Sequence, residues 1–149
     1  MKNITILFFV MMLFACKNHR EMQNKIISEL TTENNMKIMG TLSKDTTISA
    51  PFEIQEASIS GNKLLLKVSY AGGCQEHSFQ LVGATQISKS LPPIRSIRLI
   101  HDSKQDACKA KIIKDIEVDI SDLCYKNETN SSIYLQLQGW KENLLYTKP

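Results

Sequence analysis

From about residue 36 onward, apolar side chains recur at every second position in short runs, and the runs are broken by Gly, Asn, Asp, Ser and Pro. That period of two is the signature of half-buried β-strands. In Lys63-Leu-Leu-Leu-Lys-Val-Ser-Tyr70, for example, Leu64, Leu66, Val68 and Tyr70 fall on one face. The same rule predicts strands over 36–42, 52–59, 63–70, 77–82, 94–102, 111–120, 132–138 and 143–147. Ser60-Gly61-Asn62 separates two of these runs and predicts a hairpin, while Leu91-Pro92-Pro93 blocks ladder pairing and predicts a sharp connection. No stretch in this region sustains the 3.6-residue apolar period of a helix. The predicted fold is all-β: a single small antiparallel β-sandwich or partly open barrel of about seven or eight strands.

The first residues follow a different rule. Ile4 to Ala15 is apolar apart from Thr5, with Lys2 before it and the polar stretch Lys17-Asn-His-Arg-Glu directly after Cys16. A basic start, a short apolar core and a small residue before the cut make a secretory signal peptide, too short for the ~20 residues a membrane-spanning helix needs. Leu13-Phe-Ala-Cys16 resembles the lipobox of bacterial lipoproteins. That resemblance implies a diacylglyceryl group on the Cys16 thiol, cleavage before it and acylation of the new amino terminus. The expected organisation is therefore a signal peptide over 1–15, a lipidated and flexible polar tether over 16–35, and a β domain over 36–149. The expected partner is membrane lipid, through acylated Cys16. Lys17 and Asn18 lack the aspartate that retains some lipoproteins at an inner membrane, so the resemblance places the anchor at the outer membrane.

Composition narrows the function without naming it. With 42% apolar and 22% charged residues the chain is globular rather than disordered. Cleavage of 15 residues from 149 leaves 134, enough for one domain with a core. Loss of Lys2 takes the net charge from +3 to +2, too near neutral to support nucleic-acid binding.

The candidate chemistry is two cysteines and two histidines. Gly72-Gly-Cys74-Gln-Glu-His77 has an echo in His101-Asp-Ser-Lys-Gln-Asp106-Ala-Cys108. His77 shares its face with Phe79 and Leu81, and His101 shares its face with Ile97 and Leu99. If the two strands are neighbours, Cys74, His77, His101 and Cys108 converge at one rim. An exported domain meets an oxidising compartment, which favours a Cys74–Cys108 disulfide closing a loop of about 35 residues. The alternative is a zinc or copper site using Cys74, His77, His101 and Cys108, incompatible with the disulfide because joined sulfurs are not thiolate ligands. A third arrangement is a nucleophilic cysteine with His77 or His101 as base and Asp106 orienting it, but no catalytic context surrounds it. Cys124 is left over and reads as a free thiol at a strand end, the alternative being a pairing with Cys74 or Cys108. Trp140 reads as a core anchor, and Arg95 and Arg98 fall on opposite faces of their strand.

The pattern Gly72-Gly-Cys74-x-x-His77-x-Phe79, followed by His101-Asp102 and Asp106-x-Cys108, resembles one that recurs in small uncharacterised envelope lipoproteins of Bacteroidetes-like bacteria. The resemblance covers roughly residues 68–120. It implies that these Cys and His positions belong together and assigns no activity. The function expected from the chain is thus a lipid-anchored envelope protein with a non-catalytic structural or binding domain, without a cofactor unless the metal alternative holds.

Overall fold

The computed structural model describes residues 35–44 and 47–149. The expected signal peptide, Cys16 and most of the tether lie outside the described residues. Eight strands follow in order: β1 Asn35–Leu42, β2 Glu53–Ser60, β3 Lys63–Gly72, β4 Ser78–Gly83, β5 Ile94–Asp102, β6 Ala110–Asp119, β7 Ser132–Leu137 and β8 Asn143–Thr147. A single 3₁₀ turn, Ser121–Leu123, follows β6.

All eight strands join one sheet in the order β2-β3-β6-β1-β4-β5-β7-β8. The sheet curls into a nearly closed barrel, the second of the two architectures expected from the all-β pattern. Its first and last strands meet at a seam where the Tyr146 hydroxyl donates to Asn62 Oδ1 at 2.7 Å. The pairing is more mixed than the hairpin pattern suggests. β1 runs parallel to both β6 and β4, and β5 runs parallel to β7, while the other four pairs are antiparallel. The chain makes this possible by laying β1 down first and returning to each side of it after long connections.

Period-two alternation fills the interior as the strands predict. Leu64, Leu66 and Val68 of β3, Ile97 and Leu99 of β5, Ile116 and Val118 of β6, Ile133, Leu135 and Leu137 of β7, and Tyr146 of β8 are buried together. Each such side chain contributes about 1.5–3 kcal/mol relative to exposure. Leu123, on the 3₁₀ turn, is also fully buried. It fits because Gly40 and Gly83 face it: a Cβ at either position would come within 3.0 Å or 2.8 Å of a Leu123 methyl carbon. Trp140 packs against the same core, and its indole N–H is buried without a hydrogen-bond partner among the described residues.

Candidate functional site

The end of β3, the start of β4 and the end of β5 meet at one rim of the barrel. β4 pairs antiparallel with β5, which sets Phe79 opposite His101. His77 stands just before β4 and keeps its inward parity. Gly72 closes β3 against the His77 ring; a Cβ there would lie 2.7 Å from His77 Cε1. Gly73 then takes φ +114°, a conformation that favours glycine, and turns the chain outward to Cys74. On the other side, Lys104 and Gln105 adopt φ of 52° and 60° in succession, bending the loop so that Asp106 turns inward.

The four residues singled out from sequence come together here. Cys74 and Cys108 form a disulfide with their Cα atoms 5.8 Å apart, inside the range a disulfide spans. His77 and His101 are each only 2% exposed. Nδ1 of His77 lies 2.8 Å from Nε2 of His101. Nε2 of His77 lies 3.2 Å from Asp106 Oδ2, and Nδ1 of His101 lies 3.2 Å from the Pro51 carbonyl oxygen. Pro51 is placed by the connection from β1 to β2: Ala50 N–H donates to the His101 carbonyl at 2.8 Å, and His101 N–H donates to Ser49 Oγ at 2.9 Å.

Aromatic rings enclose the pair. Tyr70 stacks on His77 at 4.7 Å between centroids, Phe79 stacks on His101 at 4.6 Å, and Phe52 meets His101 edge-on. Burial pushes His101 below the ordinary histidine range, helped by the neighbouring His77 and opposed by hydrogen bonds to the backbone of residues 50 and 51. Burial pushes the Tyr70 hydroxyl upward.

Asp106 is the residue whose position sequence reasoning undervalued. It reads as an orienting partner in a catalytic arrangement. Its side chain is in fact fully buried. Asp106 Oδ1 accepts from Cys108 N–H at 2.8 Å, and Oδ2 accepts from Cys74 N–H at 2.9 Å and Gln75 N–H at 3.0 Å. The Cys108 amide first, then those of Cys74 and Gln75 and the His77 ring, hold this carboxyl far below the usual carboxylate range. The spacing Asp-x-Cys carried a local signal for this, since a side-chain oxygen accepting from the amide two residues on is a common Asx turn.

As donors for a cation, Cys74 Sγ, Cys108 Sγ and an Asp106 oxygen lie within 4.8 Å of one another, with Asp106 standing where the sequence pattern put the histidines. The sulfurs are joined and the Asp106 oxygens are engaged by three backbone amides, so a cation would require reduced cysteines and a released carboxylate.

The opposite end of β5 holds a second buried polar group. Arg95 is 5% exposed, on the same parity as Ile97, Leu99 and His101. Its guanidinium donates to the carbonyls of Leu123 (3.1 Å), Cys124 (3.2 Å) and Ala84. Burial lowers its pKa from the usual arginine value. Arg98 lies on the other face, as the alternation requires. Cys124 is a free, half-buried thiol.

No protein-family model and no curated protein sequence matches the chain. Among solved structures, a NigD-like immunity protein from Bacteroides caccae is similar over 68% of this chain and 51% of its own, with TM-score 0.57 and 13% identity. A protein of unknown function from Bacteroides vulgatus is similar over 77% of this chain and 57% of its own, with TM-score 0.52 and 15% identity. The chain thus spans little more than half the length of either structure. At such identities the likeness shows a shared fold: the domain is a small all-β barrel of the kind these proteins contain.

Proposed function

We propose that this chain is a lipid-anchored protein of the bacterial cell envelope, held at the outer membrane through acylated Cys16, whose β domain is a non-catalytic structural or binding module. The observation that carries the non-catalytic part is the state of the four special side chains. Cys74 and Cys108 are joined to each other, and His77 and His101 are buried with every ring nitrogen in contact with a polar partner. At these four positions that leaves neither a thiolate nucleophile nor an accessible base. Neither similar structure is described as an enzyme, which accords with this reading. Anchoring rests on the lipobox resemblance, each buried methylene of an acyl chain contributing about 0.8 kcal/mol.

Two measurements test the proposal. Fractionation of cells producing the wild type and Cys16→Ala is expected to move the variant, and not the wild type, out of the membrane fraction. An unchanged distribution rejects the anchor. Alkylation of the native protein is expected to leave Cys74 and Cys108 unmodified without a reductant. Rapid labelling of either supports an enzyme instead.

A further inference from the structure

We propose that Asp106, His77 and His101 form a buried triad closed by three shared protons and one positive charge, and that this triad, rather than the disulfide, presets the two cysteine loops. The contacts form a line with three gaps: Asp106 Oδ2 to His77 Nε2, His77 Nδ1 to His101 Nε2, and His101 Nδ1 to the Pro51 carbonyl. A carbonyl oxygen only accepts. Asp106 also only accepts, because three backbone N–H groups point at its two oxygens and favour the carboxylate. With acceptors at both ends, each gap needs its own proton, and all three must sit on the rings. Two neutral imidazoles carry only one proton each. In any such arrangement at least one gap sets acceptor against acceptor, inside a site where both rings are 2% exposed.

The third proton makes one ring an imidazolium, and the geometry places it on His77. That ring faces the buried carboxylate at 3.2 Å and lies under the face of Tyr70 at 4.7 Å, both favourable to a cation. His101 then stays neutral, donating from Nδ1 and accepting at Nε2. The other charged neighbours are Asp102 beside His101, which is paired with Lys104, and Glu76 beside Tyr70. Both carboxylates support the same sign.

The triad also explains how the cysteines find each other. Asp106 holds the amides of Cys74 and Gln75 from one loop and of Cys108 from the other. Both loops are thereby fixed to one carboxylate, and that carboxylate is fixed through His77 and His101 to the barrel wall. Closing the bond moves two electrons and two protons from the two thiols to a small-molecule disulfide, which leaves as two thiols. The triad takes no part in that exchange and only sets the approach.

The test is nitrogen NMR of the full chain labelled with ¹⁵N at histidine, recorded for the wild type, for the wild type reduced with a phosphine, and for the Cys74→Ser/Cys108→Ser double variant. His77 is expected to show protonated-type nitrogens at both positions. His101 is expected to show one protonated and one bare nitrogen, with a slowly exchanging proton shared between the rings. All three samples should share this signature, and Asp106→Asn should lose it. A bare nitrogen on His77 in the wild type overturns the proton count. Loss of the shared proton on reduction and in the double variant, whether by local opening or by unfolding, overturns the presetting role. Persistence of the full signature in Asp106→Asn overturns the part given to the carboxylate.

Discussion

β5 carries a buried polar side chain at each end of one inward face, and the two ends are held differently. Arg95 and His101 are six positions apart, roughly 20 Å along the strand. At the Arg95 end, a single guanidinium ties down three carbonyls from the β4–β5 connection and the 3₁₀ turn, with no carboxylate among the hydrogen-bond acceptors found. At the His101 end, a carboxylate, two rings, a carbonyl and a disulfide close on one another. The first end depends on one residue, so one substitution undoes it. The second is redundant: its loops are joined by a covalent bond and, independently, by a network of hydrogen bonds. The second end concentrates a disulfide, two imidazoles and a carboxylate, whereas at the first end the Cys124 thiol is the group able to change its covalent state.

The largest effect is expected from Arg95→Met. It leaves three buried carbonyls short of a donor and is expected to lower stability by about 3 kcal/mol or more in urea unfolding. A loss under about 1 kcal/mol would show that the three carbonyls do not depend on Arg95. Reduction, or Cys74→Ser with Cys108→Ser, is expected to lower stability by about 3–4 kcal/mol, acting through the unfolded chain. The folded amide spectrum should change only near the two loops; widespread change would mean the covalent bond alone holds that end.

Within the second end, Gly72→Ala acts first on the His77 ring. The new methyl would fall 2.7 Å from the His77 ring, so the ring must shift. A loss of about 1–3 kcal/mol is expected, together with loss of the ring-to-ring contact in histidine NMR. A variant as stable as the wild type would show that the His77 position is loose.

The smallest effect is that of pH. The folded-state pKa of His101 is depressed below the ordinary 6.5, so the unfolded chain takes up a proton there that the folded chain does not. The contribution of His101 to stability is therefore expected to fall as pH drops below about 6.5, while the proton that the triad keeps on His77 in the folded chain acts in the opposite direction above it. Asp106, also depressed, contributes stability above the ordinary carboxylate value of 3.8 that is lost as pH falls through and below it. Urea unfolding at successive pH values should show two acid-side declines. A rise in stability between pH 6 and pH 5 would contradict the assignment of His101.

Much of this was legible in the chain. The eight strands follow from alternation, because burial of one sheet face imposes a period of two wherever it occurs. The convergence of Cys74, His77, His101 and Cys108 was readable from parity and loop placement. Parity also held an unread signal at Arg95: it shares its face with Ile97, Leu99 and His101, and an arginine there must be buried and bonded. Two features lay beyond local pattern. The parallel pairings of β1 depend on which distant strands flank it, and side-chain alternation is the same in parallel and antiparallel ladders. The burial of Asp106 depends on amides from a loop 32 residues away, although its turn toward Cys108 was visible locally.

Cys74 and Cys108 are consumed in a covalent closure at the rim of the barrel. Intact-mass spectrometry under native conditions tests it most directly. The expected result is a protein lighter than the thiol form by the two hydrogens lost on closure, with no bound metal. A protein at the full thiol mass carrying stoichiometric zinc or copper, with the metal lost in Cys74→Ser, would contradict it.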